Sequence, residues 1–168
     1  MSRLLTYLLS VCCVFSLPSC TEVECPLDSV VVMTCGLYDA TSESPLTLPH
    51  TLSVTPYGKD TLLLNSASQI ETFVLPLKMA STCDTMLLHF SDDWDQSAVD
   101  TLIFYHENMP HFESVECPTT IFHHLNRVEW INDTRTDLDL KIDSVAIVRE
   151  LVDYNDVENI QIYLHSAP

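Results

Sequence analysis

The sequence predicts an all-β protein, an antiparallel β-sandwich of immunoglobulin-like or related kind, behind a cleaved N-terminal lipoprotein signal peptide. Three observations predict it. Short β-rich runs recur from residue 28 onward at about 8- to 15-residue spacing, with turn residues between them. Apolar residues alternate within those runs, as in Met86/Leu88/Phe90, Leu102/Phe104, Val145/Ile147 and Ile160/Ile162/Leu164, which sets one face to a core and the other to solvent. No segment keeps helical periodicity for three turns, and the one candidate, residues 119–125, amounts to a single turn.

The first segment reads as an address. Arg3 precedes an apolar run over residues 4–17, too short to cross a bilayer as a helix but right for the core of a signal peptide. Leu17-Pro18-Ser19-Cys20 follows and resembles the lipobox of bacterial lipoproteins, in which the Cys is acylated and becomes the new N-terminus. Residues 1–19 are then removed, 20–27 form a lipidated tether and 28–168 the sandwich. Two or three acyl chains on Cys20 make a stable anchor, since a single chain binds only marginally. The alternative is a plain secretory signal with an unrelated Cys at its end. Glu22 and Glu24 resemble an acidic surface-export signal interrupted by Val23, so both the periplasmic and the cell-surface side stay open.

The expected strands are residues 29–38, 51–54, 61–64, 70–75, 85–90, 101–106, 112–117, 127–131, 144–149 and 160–165. Pro45, Pro49, Pro56, Pro76, Pro110 and Pro118 fall at run ends, where a missing N–H does not break a ladder.

Composition excludes several functions. With 24 acidic against 7 basic residues, a net charge of -17 leaves no cationic surface for nucleic acid or a polybasic membrane switch. Glycine occurs only at 36 and 58, so no Gly-rich phosphate cradle can be written. An apolar content of 46% is too high for disorder.

An exported chain meets an oxidising compartment. Setting aside Cys12 and Cys13 with the signal and Cys20 with the lipid leaves Cys25, Cys35, Cys83 and Cys117. None has a zinc-type spacing. Of the three pairings, Cys25 with Cys117 and Cys35 with Cys83 is preferred, because Cys25 and Cys117 both stand in Cys-Pro steps just outside strands. Free thiols at Cys35 and Cys83 are the alternative to the second bridge.

An Asp-Ser/Thr-apolar triplet recurs at Asp28-Ser29-Val30, Asp60-Thr61-Leu62, Asp84-Thr85-Met86, Asp100-Thr101-Leu102 and Asp143-Ser144-Val145. It resembles the O-glycosylation signal of exported Bacteroidota proteins, which would modify Ser29, Thr61, Thr85, Thr101 or Ser144. The plainer reading has Asp ending a turn and the following residue opening a strand.

Histidines cluster at His106, His111, His123 and His124. His106-Glu107 through His111 is one residue too long for the zinc-peptidase helix motif, and on a helix the second His would point elsewhere. In a hairpin turning at Asn108-Met109-Pro110, His106 and His111 would face each other and take a metal with His123 or His124; otherwise they are turn and surface residues. In Asp92-Asp93-Trp94-Asp95, carboxylates such as Asp93 and Asp95 alternate as in a calcium loop, without its Gly or terminal Glu; the alternative is a charged hairpin tip. Asp133, Asp137 and Asp139 read as a solvated loop and strand edge. No nucleophile elbow is present, and no Ser or Cys stands where its pKa would fall. Trp94, Trp130, Tyr57 and Tyr105 are candidates for a glycan platform, although Trp130 alternates with Val128 and so reads as core.

Cys25-Pro26-Leu27, Asp60-Thr61-Leu62-Leu63-Leu64-Asn65, Phe73-Val74-Leu75-Pro76-Leu77, Pro110-His111-Phe112-Glu113-Ser114 with Cys117-Pro118, and Glu158-Asn159-Ile160-Gln161-Ile162-Tyr163 together look like a domain-of-unknown-function family of small Bacteroidota lipoproteins. The resemblance implies an exported β-sandwich without an assigned activity or catalytic residues, and an outer-membrane β-barrel as a partner. The expected function is therefore a non-enzymatic envelope lipoprotein without a cofactor. It would be held to the membrane by acyl chains on Cys20 and act as an interaction or assembly module for a β-barrel or other envelope protein. A glycan- or metal-ion-binding module is the alternative.

Overall fold

A computed structural model describes residues 25, 31–92, 96–134 and 138–166. The signal segment, Cys20, Glu22, Glu24 and Ser29 lie outside the described residues, as do Asp93, Trp94, Asp95 and Asp137.

Ten strands follow in chain order: β1 (Met33–Asp39), β2 (Thr51–Pro56), β3 (Leu64–Ala67), β4 (Thr72–Leu75), β5 (Cys83–Ser91), β6 (Ser97–His111), β7 (Thr120–Ile131), β8 (Leu140–Ile147), β9 (Leu151–Val152) and β10 (Glu158–Ser166). They form a four-stranded sheet in the order β4-β1-β10-β8 and a six-stranded sheet in the order β3-β2-β5-β6-β7-β9. The alternation read from the sequence is what joins the two layers. Met86, Leu88 and Phe90 on β5 and Leu102 and Phe104 on β6 are buried, and so are Ile160, Ile162 and Leu164 on β10 and Met33, Cys35 and Leu37 on β1. Full burial of a Phe or Leu side chain stabilises by about 1.5 to 3 kcal/mol, so this shared layer dominates folding.

The fold is an all-β sandwich, but one central ladder is not antiparallel. β1 and β10 run parallel, with Leu37 opposite Ile162. Adjacent hydrophobic runs at the two ends of a chain carry no signal of relative direction. Gly36 sits on this ladder because a Cβ there would collide with the Glu158 carboxylate, which accepts a 3.0 Å hydrogen bond from the Tyr38 hydroxyl.

Several expected elements are corrected. Residues 112–117 are a turn rather than a strand, with Cys117 N–H donating to the Ser114 carbonyl at 3.3 Å. Asn108-Met109-Pro110 is no turn; β6 runs through it, paired with β7. Pro110 is tolerated there because β5 pairs with β6 only up to Tyr105, so beyond that point β6 has an open side where a missing N–H breaks nothing. Residues 119–125 contribute to β7 rather than a helical turn, since β-branched and aromatic residues facing β6 gain a ladder that an isolated turn lacks. The third strand slips from 61–64 to Leu64–Ala67, and β9 is a two-residue strand with no periodicity to betray it.

Cys25 and Cys117 are disulfide-bonded with their Cα atoms 5.5 Å apart, tying the segment before β1 to the β6–β7 turn. Cys35 and Cys83 are free thiols. No bridge between them is available, because Cys35 points into the core from the four-stranded sheet while Cys83 alternates with buried Asp84 and so faces outward from the six-stranded one.

Candidate functional site

The six-stranded sheet carries a buried polar cluster where the chain crosses from β4 to β5. Asp84 shares the inward face of Met86 and Leu88 and is fully buried. Its Oδ2 accepts from the Lys78 backbone N–H at 2.9 Å and from His106 Nε2 at 3.0 Å, and its Oδ1 meets Lys78 Nζ at 3.0 Å. Burial alone would push this carboxyl up; the Lys78 amide, the Lys78 ammonium and His106 together outweigh it and hold Asp84 below the ordinary carboxylate range.

His106 must carry its proton on Nε2 to donate to that carboxylate, which leaves Nδ1 buried without a hydrogen-bond partner. The ring meets His123 edge to face at 5.0 Å. Asn108 donates from Nδ2 to the carbonyls of Met79 and Ser81, each at 2.8 Å, so its Oδ1 accepts from His123 Nδ1 at 2.7 Å. Burial first, and the neighbouring His106 second, push His123 down to about 4. The cluster therefore holds one negative charge against the Lys78 cation with a neutral His123 beside it, and its hydrogen bonds lace the 76–82 connection to β5 and β6.

Asp100 does the same at the next crossing. It is buried on the inward face beside Leu102, and its two oxygens accept from the backbone N–H groups of Asp133 at 2.9 Å and Ile142 at 3.3 Å, tying the β7–β8 passage to β6. Burial outweighs those two bonds and raises its carboxyl. Asn159 clamps the third crossing, donating to the carbonyls of Arg149 and Leu151 and accepting from Thr34 N–H.

The triplet Asp residues at 84 and 100 are thus interior clamps, not turn residues before strands. The signal for them was present: each stands two residues before an inward apolar side chain, so period two already places it on the core face.

The hairpin metal site, one of the two readings of these histidines, does not assemble. His106 and His111 lie on one strand, five residues apart, and so on opposite faces; His111 stacks on Phe122 at 4.2 Å and meets Glu113 at 3.0 Å. His124 faces outward and pairs with Glu150 at 3.2 Å. Among the described residues no group of three or more His, Cys, Asp or Glu is placed to hold a metal ion. Asp93 and Asp95 lie outside the described residues. Of the glycosylation candidates, Thr61 is exposed in a loop, whereas Thr85, Thr101 and Ser144 are half-buried on strands.

Three surface features remain. A polar cleft of about 620 Å³ is bordered by His50, Thr51, Ser68, Gln69, Ser91 and Asp92. A smaller pocket of about 220 Å³ opens beside Asp84, floored by Leu63, Leu77 and Met86, with Lys59, Thr61 and Lys78 at its rim.

The third is the outer margin of β7. β9 covers only His123 and His124, so along Asn126 to Ile131 the side of β7 away from β6 has no strand partner among the described residues. Trp130, expected in the core, is 37% exposed and Ile131 60%, both at the margin of β7 beyond the reach of β9. With Ile103 and Val128 they border a groove of about 300 Å³. Arg127 flanks it, paired with Glu129 at 2.7 Å and stacked 4.2 Å above the Tyr105 ring. The other margins are blunted as natural edges usually are: β4 is four residues long, β8 is bulged at Asp143, and beside β2 the short β3 carries Ser66 at a left-handed φ of 45°.

Compared with known proteins, the chain matches no curated protein and no solved structure. Residues 51–164, from β2 almost to the end of β10, match a family of unknown function, DUF6452. That stretch holds Asp84, Lys78, His106, Asn108, His123, Asp100 and the whole β7 margin, so the chain belongs to the DUF6452 family and carries its clamps and surfaces within the family's own span.

Proposed function

We propose that the protein is a non-enzymatic envelope lipoprotein that works as an interaction module, tethered to the outer membrane through acylated Cys20, with the β7 margin as its docking face. The observation carrying this reading is that, among the described residues, β7 has no strand partner on its side away from β6 along Asn126 to Ile131, with Trp130 and Ile131 exposed there. A solvated edge strand with apolar neighbours invites strand addition or apolar docking by another protein. The chemistry of the buried groups supports the same reading. Asp84, Asp100 and Asn159 are all engaged in holding chain crossings, and the Cys35 thiol is raised far above its ordinary range by burial and so is no nucleophile. The partner is an outer-membrane β-barrel or another envelope protein.

The test joins anchor and face. Cys20→Ala should move the protein from the membrane to the soluble fraction, and Ile131→Lys should leave it in the membrane while detaching the partner. Membrane retention of Cys20→Ala would sink the anchor; an undiminished complex with Ile131→Lys would sink the docking face. A second reading, a glycan-binding module, draws on the polar cleft bordered by His50, Ser68, Gln69 and Asp92. Glycan-array binding lost in His50→Ala would favour it.

A further inference from the structure

Lysine is scarce in this chain, at positions 59, 78 and 141 only, and two of the three stand at the rim of one small pocket. The pocket opens between the sheets where β4 crosses to β5, and its floor is core: Leu77 is 7% and Met86 2% exposed. Lys78 Nζ lies 3.0 Å from Asp84 Oδ1, yet its side chain is 44% exposed and its ammonium carries three donors. The charge of the Asp84 carboxylate below is already met by the Lys78 ammonium, and its Oδ2 accepts from the Lys78 amide and His106. Among the described residues Lys59 takes part in no ion pair, unlike Arg127 and Arg149. In a molecule of net charge -17, this is where two ammonium groups meet an apolar floor.

We infer that this pocket binds a small amphipathic carboxylate, its apolar chain against Leu63, Leu77 and Met86 and its carboxylate between Lys59 and Lys78. A volume of about 220 Å³ lies below the roughly 300 to 1,000 Å³ of drug-sized sites, which suits a small acid with a short apolar chain. Burial of the chain supplies affinity, and the paired lysines discriminate against neutral and cationic analogues of equal length. The site is remote from the β7 margin in sequence and lining residues, and it stands or falls independently of the docking proposal.

The probe is hexanoate, titrated into the full chain carrying Cys20→Ala with methyl-labelled methionine. The Met86 methyl should shift saturably at concentrations of about 1 to 10 mM while those of Met33 and Met109 stay still. Hexylammonium and acetate should fail to move it, the first for its charge and the second for its missing chain. Lys59→Glu, a change at an exposed position, should weaken hexanoate about tenfold. No saturable Met86 shift, an equal response to hexylammonium, or unchanged affinity in Lys59→Glu would each overturn the inference.

Discussion

Nε2 of His106 lies 3.0 Å from Oδ2 of Asp84, with both side chains wholly buried, and the same oxygen accepts from the Lys78 N–H at 2.9 Å, so one carboxylate joins β5 and β6 to the crossing between the sheets. A buried ion cluster is weak support for stability as a whole, but breaking one partner strands the others. Asp84→Asn leaves the Lys78 ammonium without its counter-charge and His106 with a poorer acceptor. The expected loss is about 3 to 5 kcal/mol in urea unfolding. A loss below about 1 kcal/mol would mean that the crossing is held by apolar packing alone.

His123 makes the fold acid-sensitive in a defined window. Its folded-state value, about 4, lies below the ordinary 6.5, so the unfolded chain takes up the proton first. Its contribution is therefore complete above about pH 6.5 and is lost as pH falls toward about 4, to a total of about 3 kcal/mol. Asp100 works in the opposite sense, since its raised carboxyl favours the native state once protonated. Asp84 adds a loss only at lower pH, as its depressed value is reached. His123→Gln keeps a donor toward Asn108 and cannot titrate. Melting temperatures from pH 7 to 4.5 should fall steeply in the parent and flatten in the variant; parallel curves would refute the assignment.

The cysteines should separate by reactivity. Cys83 is half-buried and should be alkylated in the native protein, whereas Cys35 should react only on unfolding and Cys25 and Cys117 only after reduction. Mass mapping of a timed iodoacetamide reaction reads all three classes. Replacing Cys25 and Cys117 by Ser opens a link across 92 residues, which in the chain-entropy treatment costs about 4 to 5 kcal/mol. Native labelling of Cys35 ahead of Cys83 would contradict the placement of their strands.

Gly36→Ala should be destabilising even though it lies in a strand, where Ala ordinarily improves on Gly. The new methyl meets the Glu158 carboxylate and the Tyr38 ring. A loss of about 1 to 3 kcal/mol is expected, partly recovered in Gly36→Ala with Glu158→Ala. Full additivity of the two changes would show that the contact is relieved elsewhere.

What could be read from the sequence follows the reach of each signal. Period-two alternation located β5, β6, β8 and β10 and their inward faces, because those strands are half-buried along their length. It did not reveal that β1 and β10 run parallel, since direction depends on pairing and leaves no periodic trace. The Asn108-Met109-Pro110 segment carries turn residues, yet pairing with Phe122 and Ile121 and the Asn108 bonds to Met79 and Ser81 override that preference. Trp130 faces inward as alternation requires, but alternation says nothing about how near a strand lies to the margin of its sheet. The Lys59 and Lys78 pocket was illegible, because nineteen positions of chain separate residues that only the sandwich brings to one rim.

The central claim is that the β7 margin is a docking face. The most direct measurement places a photocrosslinking amino acid at position 131 in the native host, with a matched probe at exposed position 65 on β3, at the far edge of the same sheet. The account predicts a discrete adduct with an envelope protein from position 131, absent from position 65 and diminished by Trp130→Ala. The same adducts from both positions, or none from either, would contradict it.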